Sequence, residues 1–284
     1  YLEEIKTLID KERNLELLAL KYLKQNVADL DIKEDCRTVY PRHQVVTLLV
    51  LFKLMATGSI YNTVVNSGWW QFISLGKDVL YKVKNSSLSN WRSLLYKSAK
   101  NAIKGIELSP DVYKPWAMPC FIIDDTDIVK RGRAIEFIGK VYSHVLHKWN
   151  LGFKSLNLCY WSGKHLIHLD FTFHKEPGKD GKQGLKSAHR DIRYSKKRKK
   201  GCCGEQRAME ADSKKSDQAI NMLKRALKQG FNATYVLVDS WFFNTALARF
   251  CIENNLHIVS RPKFNNWKYI YKEQEYTLGG LIKH

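Results

Sequence analysis

Apolar residues recur at helical spacing through the first hundred positions, then switch to short dense runs after Pro119. In LEEIKTLIDKERNLELLALKYL, the positions Ile5, Leu8, Ile9, Leu15 and Leu18 predict an amphipathic helix. The run VVTLLVLFKLMA predicts a more buried helix over residues 43–56. SLSNWRSLLYKSAKNAIKGI predicts another, with Leu88, Trp91, Leu95 and Ala102 on one face and Arg92, Lys97, Lys100 and Lys104 on others. The proline-containing link SPDVYKPWAMP, residues 109–119, closes the helical region.

Beyond that link the pattern predicts strands. CFIIDD is the first, and FKSLNLCYW (153–161) and HLIHLDFTFH (165–174) follow, joined by the turn-like SGK. A polar stretch rich in Lys and Gly occupies 175–207. SDQAINMLKRALKQGF reads as a helix with Ile220, Leu223 and Leu227 on one face, Gly230 at the left-handed C-terminal position and Phe231 packing back. YVLVDSW (235–241) is a fourth strand. NTALARFCIENN is a helix with Asn244 as its N-cap and Leu247, Phe250 and Cys251 inward, and LHIVSRPK (256–263) is a fifth strand. The order β-β-β-α-β-α-β predicts an α/β fold with a mixed five-stranded sheet and flanking helices, preceded by an α-helical N-terminal domain. The expected boundaries are 1–110 for the helical domain and 119–284 for the sheet domain.

Charge narrows the choice of partner. Lys and Arg number 47 against 28 Asp and Glu, a formal net charge of +19, which points to a polyanion and most commonly to nucleic acid. The helical module is basic enough to enter a DNA groove, although a plain bundle with solvated lysines has the same pattern. The longest apolar run is short and contains Lys53, so no membrane span is expected. The six cysteines form no C-x-x-C pair and read as free thiols. The chain opens on Tyr1 rather than Met and stops at GGLIKH, and the expectation is that both ends are cut.

The candidate chemistry lies in two strands that end in acid. FIIDDT and VLVDSW each run from apolar residues into Asp, and ligands collect at the C-terminal ends of strands in open α/β sheets. Two carboxylates converging from separate strands repel unless a cation sits between them, and hard oxygen donors suit Mg²⁺ or Mn²⁺. Asp is also an ordinary turn or cap residue, and Asp127 reads as one. Strand alternation leaves the choice between Asp124 and Asp125 open. Lys130, Arg131 and Arg133 follow the first acids and suit a phosphate, as does the SKKRKK run through Lys196, Lys197, Arg198, Lys199 and Lys200; a solvated loop is the plain alternative in both cases. His144 reads as a metal ligand or a packed core residue, and Asp170 as an additional acid or a satisfied strand residue. Trp69, Trp70 and Trp241 read as base-stacking platforms or as core.

The text IDDTDIVKRGRAIEFIGKVYSHVLHKWNLGFKSL together with YVLVDSWFF resembles the DDE transposases of bacterial insertion sequences, of the cut-and-paste kind. LFKLMATGSIYNTVVNS and GKDVLYKVKNSSLSNWRSLL resemble that family's helical DNA-binding region. The resemblance implies an RNase-H-like catalytic core, with Asp124 as the first metal ligand and Asp239 as the second. It implies Mg²⁺ or Mn²⁺ as cofactor, terminal inverted repeats of double-stranded DNA as partner, a homodimer on DNA, and a cytoplasmic, nucleoid-associated bacterial protein. The implied activity is DNA strand cleavage and strand transfer. A nuclease without strand transfer and a non-catalytic DNA-binding remnant are the alternatives. The family's third acid, a Glu in a Y-x2-R-x3-E-x6-K pattern, has no match: Glu273 and Glu275 lack the Tyr and Arg before them. The last catalytic helix is therefore expected to be missing, and two acids without a third are expected to bind metal poorly.

Overall fold

The structure, a computed structural model, describes residues 40–54, 59–66, 75–107, 118–178, 180–263 and 266–283. The helix expected near residues 1–22, and Trp69 and Trp70, lie outside the described residues. The chain divides into two compact units, Tyr1–Asn101 with Lys197–Ala208, and Ala102–Lys196 with Met209–His284. Among the described residues no helix is long and apolar enough to cross a membrane.

The first unit is helical. It contains α1 (Arg42–Leu54), a π-helical turn (Asn62–Asn66), α2 (Lys77–Lys84) and the start of α3 (Trp91–Glu107). Val45, Val46, Phe52, Ile60, Leu75, Leu80 and Val83 form its core, the inward positions of α1 and α2 recurring at the spacing of one helical face. Asn90 starts α3: its Oδ1 accepts from the Ser93 amide at 3.0 Å, supplying one of the unmet bonds of a helix N-terminus. The most buried positions of α3 are Tyr96 and Ala99, a different stripe from the expected Trp91, Leu95 and Ala102. An aromatic ring removes more apolar area from water than a leucine, so Tyr96 sets the inward direction.

The second unit is built on a six-stranded mixed sheet. Its strands are β1 (Cys120–Val129), β2 (Gly139–Ser143), β3 (Lys148–Trp161), β4 (Leu166–His174), β5 (Tyr235–Val238) and β6 (His257–Ser260). β1 is central, antiparallel to β3 on one side and parallel to β5 on the other, with β6 parallel beyond β5. β2 and β4 follow one another along the far edge of β3. Between β4 and β5 come α4 (Ser187–Asp191), α5 (Cys203–Asp212) and α6 (Lys215–Lys228), and α7 (Thr245–Glu253) connects β5 to β6. A separate hairpin, β7 (Lys268–Tyr271) and β8 (Gln274–Thr277), leads into the short α8 (Leu278–Leu281).

Two strands differ from expectation. The sheet has a sixth member, β2, whose five residues GKVYS are too short and too mixed to stand out as an apolar run. β1 runs five residues past Asp124, because it pairs with β3 all the way to Val129 opposite Gly152. Gly152 is required there: a Cβ on it would lie 2.2 Å from the Ile128 carbonyl oxygen. Asp127 is therefore a mid-strand residue and not a turn or cap, ion-paired to the buried Lys154 at 2.6 Å. Burial opposes the charge of Lys154, but the bond to Asp127 and the charges of Asp125, Asp127 and Glu176 outweigh it and hold the lysine above its usual pKa.

The core of this unit lies on one face of the sheet. Phe121 and Ile123 of β1, Leu156 and Leu158 of β3, and Val236 and Val238 of β5 alternate onto that face and are buried. α6 packs on β3 and β4, α7 packs on β6, and the two helices touch each other. Ala219, Met222, Leu223 and Ala226 form the inward stripe of α6, which leaves Ile220 and Leu227 half-buried at its margins. Gly230 takes φ +84, and the Phe231 amide returns to the Ala226 carbonyl at 3.1 Å with the ring buried. Asn244 caps α7 through the Leu247 amide at 3.0 Å.

Charges on the helical face are paired. Asp170, with no exposed surface, meets Nε of Arg225 at 2.8 Å, and Glu210 lies 3.7 Å from the same guanidinium. Asp170→Ala leaves that cation over a closed core and is expected to cost about 3 kcal/mol in urea unfolding. His168 and His174 are both held below the usual histidine pKa, chiefly by burial. Their folded forms bind fewer protons than the unfolded chain, so stability is present above about pH 6.5 and falls as pH drops below it. Thermal melting is expected to show that acid-side loss, and a His168→Asn, His174→Gln double variant is expected to flatten it.

Candidate active site

Parallel pairing of β1 with β5 runs from Cys120 opposite Tyr235 to Ile123 opposite Val238. Asp124 and Asp239 directly follow that last pair in sequence. Neighbouring strands lie ~4.8 Å apart, and residues abreast of one another in register share a face. Asp124 alternates onto the sheet face opposite the helices, and both Asp124 and Asp239 are exposed. β5 ends at Val238, so Asp239 stands where the chain leaves the sheet, while β1 continues past Asp124.

Each carboxylate accepts a bond from the next backbone amide, Asp124 from Asp125 at 2.8 Å and Asp239 from Ser240. Among the described residues neither takes part in an ion pair. Asp125 differs. It alternates onto the helical face and pairs with Lys215, at the start of α6, at 2.6 Å. Asp124 and Asp125 thus differ in their surroundings: Asp124 is exposed on the face opposite the helices, and Asp125 is paired with a lysine. Across β1 from Asp124 stands Asn157 of β3, whose Oδ1 lies 3.2 Å from Nε2 of His168 and accepts from Ser155 Oγ at 3.2 Å. Asn157 and His168 border the acids without having stood out in the sequence; the signal was the alternation of NLCYW against the strand that carries Asp124.

The other candidates are spread out. Lys130, Arg131 and Arg133 lie exposed in the loop after β1, where the Lys130 amide donates to the Leu151 carbonyl and Arg133 Nη1 lies 2.9 Å from His189 Nε2. His144 is exposed in the turn between β2 and β3 with its ring edge-on to Tyr142, so it is neither a core residue nor beside the acids. Asp170 sits on the helical face with Arg225, away from Asp124 and Asp239. The amide of Lys196 donates to Glu136, and Lys197, Arg198, Lys199 and Lys200 belong to the first unit. Glu273 lies in the β7–β8 turn and Glu275 on β8. Among the described residues no group of three or more His, Cys, Asp or Glu side chains is arranged to hold a metal ion. Asp124 and Asp239 are hard oxygen donors, both exposed and without a cationic partner among the described residues.

A mixed sheet with a central β1, antiparallel neighbours on one side, parallel strands on the other and helical crossovers is an RNase-H-like fold. Residues 107–272 match the sequence model of the DDE superfamily endonuclease family, and the chain belongs to that family. No curated protein matches it. Among solved structures it is similar to a chain of a piggyBac transposase synaptic complex with hairpin DNA determined by cryo-EM, at 14% identity and a TM-score of 0.36, over 88% of this chain and 51% of that one. This chain thus spans about half the length of that transposase chain.

The two classes of aspartate respond differently to substitution. Asp125→Asn removes the partner of a largely buried lysine and is expected to lower unfolding free energy by about 1–3 kcal/mol. Asp239→Asn alters an exposed carboxylate with no ion-pair partner among the described residues and is expected to leave the melting temperature in metal-free buffer nearly unchanged while abolishing any rise on adding Mn²⁺. Differential scanning calorimetry with and without Mn²⁺ checks both.

Proposed function

We propose that the chain is the catalytic and DNA-binding body of a DNA transposase, cleaving strands at the ends of a mobile element and joining the freed 3′-hydroxyl to target DNA. The observation that supports this reading is that Asp124 and Asp239 directly follow Ile123 and Val238, the last paired residues of parallel β1 and β5, in a chain of an endonuclease family. In this reading Asp124 and Asp239 hold Mg²⁺ or Mn²⁺, which when bound would activate an attacking oxygen and stabilise the departing one. Asn157 braces the face next to Asp124 and fixes the orientation of His168. Lys130, Arg131 and Arg133 neutralise backbone phosphates near the cleavage point, and Lys196, Lys197, Arg198, Lys199 and Lys200 track the duplex further out. The helical unit supplies binding to terminal inverted repeats, and two copies bring two ends together. Such a protein works at the nucleoid of a bacterial cell.

A second reading, a DNA-binding remnant without catalysis, is favoured by one observation: among the described residues no third acid joins the pair. Incubation of the protein with end-containing DNA and Mg²⁺ separates the readings. The transposase reading expects nicked and joined products, with Asp124→Ala and Asp239→Ala each losing on the order of 10²–10³-fold or more of cleavage. Cut products without joining indicate a nuclease on the same fold. Salt-sensitive DNA binding with no cleavage by the unaltered protein indicates the remnant, and full cleavage by both Asp variants contradicts the site itself.

A further inference from the structure

The sheet face that carries Asp124 also holds a clamped amide. Asn157 of β3 stands opposite Asp124 of β1, and directly opposed residues share a face with Cβ atoms ~5 Å apart. The Asn157 Nδ2 donates to the Ser155 carbonyl at 2.9 Å, while its Oδ1 accepts from Ser155 Oγ at 3.2 Å and lies 3.2 Å from His168 Nε2. These bonds decide how the amide is turned. Flipped over, Oδ1 would face the Ser155 carbonyl, two acceptors with no proton between them. In the orientation kept, His168 Nε2 carries the proton and gives it to Oδ1. Both lone pairs of Oδ1 are then occupied and one Nδ2–H is committed to Ser155, but the second Nδ2–H has no protein partner among the described residues. Around this network the face is aromatic. Phe171 and Phe173 stand opposite Asn157 and Ser155 on β4, their rings 5.2 Å apart, and Phe153 lies 6.0 Å from Phe173. Polar groups set among apolar rings cost free energy, and a β-branched or aromatic residue would close this strand without that cost.

We propose that Asn157 binds the phosphate undergoing cleavage: its uncommitted amide N–H donates to a non-bridging oxygen, and Ser155 and His168 are positioning residues that keep it turned that way. The inference rests on the reading of Asp124 as part of the cleavage site. Asp124 is an anion and repels the phosphate on which it must act. A neutral donor across the strand offsets that repulsion and leaves the carboxylate unpaired. A lysine at the same position would bind Asp124 as Lys215 binds Asp125, and so withdraw it from a metal. A hydrogen bond to a charged oxygen is stronger than one between neutral groups, and a donor already fixed in place needs no reorganisation as charge develops. The two non-bridging oxygens of a phosphodiester are not equivalent, so one fixed donor serves one of them and distinguishes it from the other.

The experiment uses the full chain and end-containing duplex DNA carrying one phosphorothioate, of either configuration, at the mapped cut position. Sulfur accepts hydrogen bonds weakly, so replacing the contacted oxygen is expected to slow the unaltered protein. Asn157→Ala is expected to lower kcat on all-oxygen DNA about 100-fold while binding in EDTA changes by no more than about twofold. It is also expected to shrink the sulfur penalty about tenfold for one configuration and leave the other unchanged. His168→Ala is expected to shrink the same penalty, and His168→Gln, which offers a donor at the reach of Nε2, to retain it. A merely structural role slows every DNA alike and leaves both penalties where they were. Full cleavage by Asn157→Ala, or penalties that stay fixed or shrink equally for both configurations, would overturn the proposal. Each penalty is a ratio within one preparation, so it does not depend on how much of a variant folds. Asn157→Asp, which keeps the size and loses the donor, supplies the same reading where Asn157→Ala does not fold. Cleavage that depends on Asp124 and Asp239 with penalties unmoved by Asn157 refutes this role alone. Absence of cleavage, or cleavage indifferent to Asp124, refutes the reading on which it rests.

Discussion

Ile123 and Val238, paired on neighbouring parallel strands, fix almost everything that matters in this molecule. Both are buried on the helical face with Phe121 and Val236, so the register is set by burial and not by the acids. A slip of one residue would turn every alternate side chain over and send Asp239 toward the helices. Asp124 and Asp239 directly follow that pair in sequence.

The sheet sorts its acids by face. On the helical side Asp125 meets Lys215, Asp127 meets Lys154 and Asp170 meets Arg225. Asp124 on the other side, and Asp239 past the end of β5, stand in solvent, each accepting a bond from its own following amide. The paired acids tie strands to one another and to the helices. Lys215 joins the two regions, since it ties Asp125 to the ring of Trp241 beyond the end of β5.

Much of this was legible in the chain. Asn244 as a cap, Gly230 in the left-handed region and the inward Leu247, Phe250 and Cys251 all follow from local chemistry that needs no tertiary partner. The acid-ended strands were visible because an apolar run stopping at Asp is an unusual pattern. That Asp125 is paired was not legible, because its partner Lys215 lies ninety residues away. β2 was hidden for a similar reason: GKVYS becomes a strand only because the first half of β3 offers it an edge. The length of β1 past Asp124 likewise depends on Gly152, which permits the close approach of Ile128.

A crystal soaked in Mn²⁺ and measured for anomalous scattering is the most direct test of the shared-cation site. The account predicts one manganese peak within coordination distance of carboxylate oxygens from both Asp124 and Asp239, absent in an Asp239→Asn crystal. Manganese bound by only one of them, or the two side chains directed to opposite faces of the sheet, would contradict it.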